Sequence, residues 1–250
     1  MNQHKLLLRP ALTAFLLVSV LCLSGLSGCQ FSDARVVRGS GDITTISHTI
    51  GFFSNIELSG AYSVTLSQGK DAMLTIETDD NLHELIDINL VDETLTIVSD
   101  RENVLRPTRM DLFIVYPEIS KISLKGAGKV SATDTLVTGK LFLEMSGAAD
   151  IHLDVKTELL HTRIAGAGNI SLRGKATNHQ VELSGASNLR AEELICEVTH
   201  ISLSGAGSAS VYASERLEAS LSGVGKITYY GDPKQKNINK SGLGSISSAR

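Results

Sequence analysis

The chain has 250 residues, 42% of them hydrophobic but only 4% aromatic, with no tryptophan and a formal net charge of −4. Mixed charge of this kind, without a basic stripe, argues against a nucleic-acid partner. So few aromatic residues leave any core to stacked aliphatic side chains.

Residues 1–28 read as a secretory signal. Lys5 and Arg9 supply the charged start and residues 11–23 a short apolar run, below the ~20 residues of a transmembrane span. The run ends in Leu26-Ser27-Gly28-Cys29, which resembles the bacterial lipobox. That resemblance implies cleavage before Cys29 and acylation of its sulfur and new amino terminus. Cys29 is therefore the expected lipidation site and the membrane an expected partner, each buried methylene adding about 0.8 kcal/mol to the anchor. Gln30 in the following position implies outer-membrane sorting in a two-membrane cell. Residues 29–38 are expected to form a tether. Cys22 leaves with the signal and Cys29 is acylated, so Cys196 is the only free thiol and the mature chain has no internal disulfide. Within Leu194-Ile195-Cys196-Glu197-Val198, Cys196 is expected to be buried and inert.

Residues 39–120 are rich in strands but lack a clean period. Strands are expected at residues 62–66, 73–77, 86–90, 95–98 and 109–116, with a hairpin turn at Val91-Asp92-Glu93-Thr94 and a helical turn at residues 81–85. Gly39-Ser40-Gly41-Asp42 and Leu58-Ser59-Gly60-Ala61 resemble outlying copies of a corner phrase that recurs later. This portion is expected to cap and continue the stack, since a bare end would expose strand edges and core.

Residues 121–250 carry the repeat. A phrase close to Ser-Gly-Ala-Gly returns with lead glycines Gly126, Gly147, Gly166, Gly185, Gly205, Gly223 and Gly242, in steps of 21, 19, 19, 20, 18 and 19. A fixed period near twenty means one supersecondary unit stacked on its copies. Four residues before each glycine stand Ile122, Leu143, Thr162, Val181, Ile201 and Ala219, and two before stand Leu124, Met145, Ile164, Leu183, Leu203 and Leu221. Four after stand Val130, Ile151, Ile170, Leu189, Ala209, Ile227 and Ile246. Alternation of this kind marks half-buried strands meeting at a glycine corner. The expected fold is all-β: a right-handed parallel β-helix of about 19-residue rungs, seven or eight of them, roughly 35 Å long. Its structural corner glycines are those seven together with Gly60.

Outward columns would carry any chemistry. Glu144, Arg163 and Glu182 should form a solvated charge ladder, and Lys125, Ser146, Ala165, Ser184, Ser204, Ser222 and Ser241 a hydroxyl stripe explained most simply by turn chemistry. His161 and His200 share a column, separated by Gln180. Two rungs are too far apart for joint metal ligation, so no metal or cofactor is expected. Lys234-Gln235-Lys236 reads as a solvated basic loop. Gly223-Val224-Gly225-Lys226-Ile227-Thr228 fails the phosphate-loop pattern, with isoleucine where a hydroxyl belongs. The enzymatic alternative is a polysaccharide lyase or hydrolase pairing Asp150 with Asp154 or Glu158. These acids are scattered, and no aromatic platform for sugars is evident.

Together, Gly39-Ser40-Gly41-Asp42, residues 53–61, Val64-Thr65-Leu66-Ser67-Gln68-Gly69, Leu95-Thr96-Ile97, Tyr116-Pro117 and the corner series resemble the head GIN domain family of autotransporter adhesins, over residues 36–248. The resemblance implies a β-helical envelope domain without established catalytic residues. No translocating barrel is legible in this chain, so the autotransporter label does not extend to it. The expected role is a lipid-anchored, non-catalytic scaffold or adhesin-like surface for a glycan or another envelope protein.

Overall fold

The computed structural model describes residues 35–100 and 102–249, and the signal, Cys29 and the tether up to residue 34 lie outside them. Strand accounts for 72% and helix for 3%, and about seven turns succeed one another some 19 residues apart. The fold is therefore the expected all-β solenoid. Among the described residues no helix is long and apolar enough to cross a membrane.

Each rung has two long sides that meet at the glycine corner. Before the corner, Lys121–Leu124, Lys140–Met145, residues 159–164 and 178–183, Leu194–Leu203, Arg216–Leu221 and Gln235–Lys240 pair in parallel. After it, Ala127–Ala132, the starts of Ala148–Ile164 and Ala167–Leu183, Ala186–Ala191, Ala206–Tyr212, Val224–Tyr230 and Leu243–Ser248 do the same. A third, short side exists in the middle rungs, where Leu136–Val137, residues 155–157, residues 174–176 and residues 194–196 stack. The register places the inward columns as the alternation predicts: Ile122, Leu143, Thr162, Val181, Ile201 and Ala219 lie in line, all at most 3% exposed. Each such aliphatic side chain contributes roughly 1.5–3 kcal/mol by leaving water.

At the corner, Ala148 N–H donates to the Gly126 carbonyl at 2.9 Å and Ala167 N–H to the Gly147 carbonyl at 2.9 Å, and the pattern continues up the stack. A methyl group on any lead glycine of the repeats would fall on the carbonyl oxygen of the lead glycine one rung below. Of the lead glycines only Gly60 has a positive φ, so close approach, not a left-handed backbone, dictates glycine along this column.

The N-terminal portion is wound differently from a simple cap. Asn55–Ser59 and Ala61–Gln68 form a full rung around Gly60, directly beneath residues 121–132. The chain then doubles back, laying Thr94–Ser99 and Met110–Tyr116 in parallel on the far side of that first rung. Met73–Asp79, Ile43–Thr49 and Ile86–Val91 close that end with antiparallel pairings. A 3-10 turn, Asp80–Leu85, contributes the fully buried Leu82 to the core.

Two expectations need amendment. Gly39-Ser40-Gly41-Asp42 is no corner copy. Its chain continues into the antiparallel Ile43–Thr49, and Gly39 packs on the buried Asp79. That carboxylate accepts Gly41 N–H and Thr108 N–H, each at 2.8 Å. Burial opposes its ionisation, but these hydrogen bonds outweigh burial and hold it below the ordinary carboxylate range. Arg35–Arg38, read as the end of the tether, is a strand paired with Asn103–Arg106.

The hairpin turn falls where expected, with Asp92 (φ 47°) and Glu93 (φ 58°) both left-handed, as in a type I′ turn. Asp suits the first of these positions, but Glu is a poor choice at the second, where Gly is preferred. The double substitution Asp92→Asn/Glu93→Gly should raise the free energy of unfolding by about 1 kcal/mol, read as an upward shift of the denaturation midpoint. An unchanged or lowered midpoint would contradict the assignment.

Every residue of Gln235–Lys240 is exposed, and Leu243 is 78% exposed. Lys236 and Lys240 stand where the preceding rung has the inward-facing Leu217 and Leu221, charges that discourage further strands from adding to this edge.

Candidate binding face

The pre-corner side carries two outward columns in strict alternation with the core. The first runs Phe142, His161, Gln180, His200, Glu218, Asn237, and the second Glu144, Arg163, Glu182, Ser202, Ser220, Asn239. The expected charge ladder forms only in part. Arg163 meets Glu182 at 3.3 Å, whereas Glu144 turns to Lys121 at 2.9 Å. His161 and His200 lie two rungs apart as predicted, and each faces a carboxylate on the next rung, Glu182 at 3.5 Å and Glu218 at 3.0 Å. These partly exposed pairs add little to stability.

Because the short Ser202 and Ser220 stand between longer neighbours, the last rungs of this side enclose an open depression of about 450 Å³. Gln180, His200, Glu218 and Asn237 form one of its walls, and the buried Val181, Ile201 and Ala219 lie beneath it. Among the described residues lining it are two carboxylates and one imidazole, but no lysine or arginine.

The serine stripe is structural. Ser146, Ser184 and Ser204 donate their hydroxyls weakly, at 3.3–3.4 Å, to the same carbonyls of the rung below that their N–H groups engage. On the post-corner side, Asp150 accepts both the backbone N–H and the side-chain amide of Asn169. Those hydrogen bonds hold its carboxyl below the ordinary range. Asn188 and Ser208 extend this into a ladder across four rungs. Asp150 and Asp154 are four residues apart on one extended strand, about 13 Å by strand rise, and Asp154 lies in register with Arg173. Lys234 and Lys236 are paired with Glu215 and Asp232.

Cys196 is 1% exposed, and burial pushes its thiol up to about 12, the inert state expected of it. Among the described residues no group of three or more His, Cys, Asp or Glu is placed to hold a metal ion. A crevice of about 580 Å³ also opens beside the first corner, between Gly60 and Gly126 on one side and Asn103, Leu105 and Pro107 on the other.

Two residues escaped the sequence reading. His179 is buried in the core, its Nε2 3.0 Å from the Thr162 hydroxyl. Burial, reinforced by neighbouring His161, pushes it down to about 3. Its shared parity with Val181 and Leu183 was the available signal. Phe142 points outward and is 36% exposed, its ring centroid 5.8 Å from that of His161. Its place five residues before Gly147 already put it in the outward column.

A stack of about seven turns with polar columns on its long sides is a β-solenoid. The profile of the family described as "Putative auto-transporter adhesin, head GIN domain" matches residues 52–233, and the chain belongs to that family. A putative adhesin from Bacteroides fragilis NCTC 9343 superimposes with a TM-score of 0.83 at 27% identity, covering 85% of this chain and 100% of that one. At 20% identity, which shows the fold alone, lie two further structures. A putative adhesin from Parabacteroides merdae has a TM-score of 0.67, covering 87% of this chain and 100% of its own. A "Putative lipid binding protein" from Parabacteroides distasonis has a TM-score of 0.69, covering 86% and 100%. No curated protein matches this chain.

Proposed function

We propose that this chain is a non-catalytic binding scaffold of the bacterial envelope, anchored in the outer membrane by lipid on Cys29. Its outward columns would then contact a glycan or another envelope protein. The observation that carries the binding role is the repetition of exposed polar side chains at rung spacing on hydrogen-bonded sheet faces. Such a surface is rigid before any partner arrives, so little ordering entropy is lost on contact. The adhesin descriptions of the family and of the Bacteroides fragilis structure point the same way. The anchor rests on the phrase Leu26-Ser27-Gly28-Cys29 after a short apolar run.

The anchor is tested by growing cells with radioactive palmitate and comparing wild type with Cys29→Ala, followed by membrane fractionation. Label and membrane association are expected in the wild type and should both disappear in the variant. An unlabelled wild-type protein in the soluble fraction would overturn the anchored reading.

A further inference from the structure

We propose that the four-rung depression on the pre-corner side binds a neutral, linear polysaccharide lying along the stacking axis. This rests on the binding-scaffold reading above and gives it a site and a ligand class.

Three features select this ligand. The first is the donor–acceptor mix. The amides of Gln180, Asn237 and Asn239 and the hydroxyls of Ser202 and Ser220 can each donate and accept, while the carboxylates of Glu182 and Glu218 accept only. A polyol satisfies such a surface, because every sugar hydroxyl is both donor and acceptor. Of the two lining carboxylates, Glu182 is paired with Arg163 and Glu218 faces His200. No described lining residue is a lysine or arginine, so the lining supplies no unpaired cation of that kind to attract uronates, sulfated glycans or phosphates. The second is the floor. Val181, Ile201 and Ala219 are at most 3% exposed, so the packed sheet closes the base and the depression stays open, with no deep socket for a peptide side chain.

The third feature is periodicity. Equivalent side chains recur along the axis once per rung, about 4.8 Å, a spacing comparable to the length of one sugar unit in an extended chain. Gln180, His200, Glu218 and Asn237 could therefore meet successive residues of one glycan. Hydrogen bonds to exposed groups are individually weak, and the site gains affinity by engaging several units at once. Beyond Gln180 the same column continues to His161 and then Phe142, whose exposed ring offers an apolar face to a sugar further along the chain. Sugar contact with this ring should matter only for chains long enough to reach it.

The test uses the full mature protein in detergent micelles. Tetra- and octasaccharides of neutral β-glucan, mannan and N-acetylglucosamine polymers are titrated by calorimetry and saturation-transfer NMR. Oligogalacturonate, a polylysine peptide and calcium ion serve as comparison probes. At least one neutral oligosaccharide should bind at millimolar or lower concentration, the octamer more tightly than the tetramer. His200→Ala/Asn237→Ala should weaken both by tenfold or more, and Phe142→Ala should weaken only the octamer. All three positions point outward, so circular dichroism should be unchanged. Ser171→Ala, on the post-corner side, should bind as wild type.

Binding by none of the neutral oligosaccharides would overturn the proposal, as would binding of polylysine or calcium alone. Glycan binding that survives His200→Ala/Asn237→Ala but is lost on substitution of the post-corner columns would overturn this site while leaving the scaffold reading intact. The palmitate experiment tests the anchor independently of either result.

Discussion

Gly166→Val should remove about 4 kcal/mol or more of stability, and it should do so by splitting the stack. A Cβ at Gly166 would fall on the carbonyl oxygen of Gly147, an atom that already accepts the Ala167 N–H at 2.9 Å. The Gly166 carbonyl in turn accepts Ala186 N–H at 3.0 Å. Forcing the rungs apart costs these two bonds, about 1 kcal/mol each, and an overpacking strain of roughly 1–3 kcal/mol. Little relaxation is open to the backbone, since the same close approach recurs at Gly147 below and Gly185 above. Whole proteins have only about 5–15 kcal/mol to lose. In a nearest-neighbour stack the damage is local, so chemical denaturation followed by circular dichroism should show an early phase from the rungs after Gly166, then the remainder. Gly139 is the control, because nothing lies within 4 Å of a Cβ built there. Gly139→Ala should be neutral or stabilise by up to about 1 kcal/mol. Equal denaturation midpoints for the two variants would refute close packing at the corner.

The second large effect is a loss of stability in mild acid. His179 is fully enclosed and held near 3 in the folded protein, mainly by burial, against about 6.5 when unfolded. Between those values the unfolded chain binds a proton that the folded chain does not. Stability therefore falls as pH drops below about 6.5 and levels off near 3, with a total loss on the order of 5 kcal/mol. The clean comparison is Thr162→Val/His179→Leu, which removes both members of the buried pair. Removing only one leaves the other unsatisfied, at a cost of about 1–3 kcal/mol. The double variant should unfold at a nearly constant denaturant concentration between about pH 7 and pH 5, where the wild type weakens steadily. Parallel curves for the two proteins would show that His179 is not the group responsible. Asp79 and Asp150, both held low, retain their stabilising ionised state until the pH falls through the ordinary carboxylate range and below, so their loss comes later in a titration.

Most of the repeat was legible because the solenoid converts sequence periodicity directly into space. A residue four before a glycine packs on the residue four before the next one, so Ile122, Leu143, Val181 and Ile201 could be assigned to one column without coordinates. The outward positions of His161 and His200 follow from the same alternation, and the burial of Cys196 from its small apolar character within residues 194–198. The hairpin at Asp92-Glu93 was visible from the two strand-like runs that flank it. Less legible was anything that depends on neighbours outside the period. Gly39-Ser40-Gly41-Asp42 has the composition of a corner, yet its glycines serve the buried Asp79. The depression on the pre-corner side arises from the relative lengths of side chains on four separate rungs, a relation that no single repeat contains.

The sequence by itself determined the unit: its length, its inward and outward positions, and its glycine corner, because strand alternation and stacking are local rules repeated many times. Only the tertiary structure decided the order in which the units stack at the N-terminal end. There the first rung, residues 55–68, lies between Thr94–Ser99 and Met110–Tyr116 on one side and Lys121–Leu124 and Ala127–Ala132 on the other. Chain order and spatial order part company at that point because the first rung offers two free edges, and the returning segment pairs with one while the repeats grow from the other. That choice is made by complementary long-range strand pairing and shared core burial, which leave no periodic trace in residues 69–120.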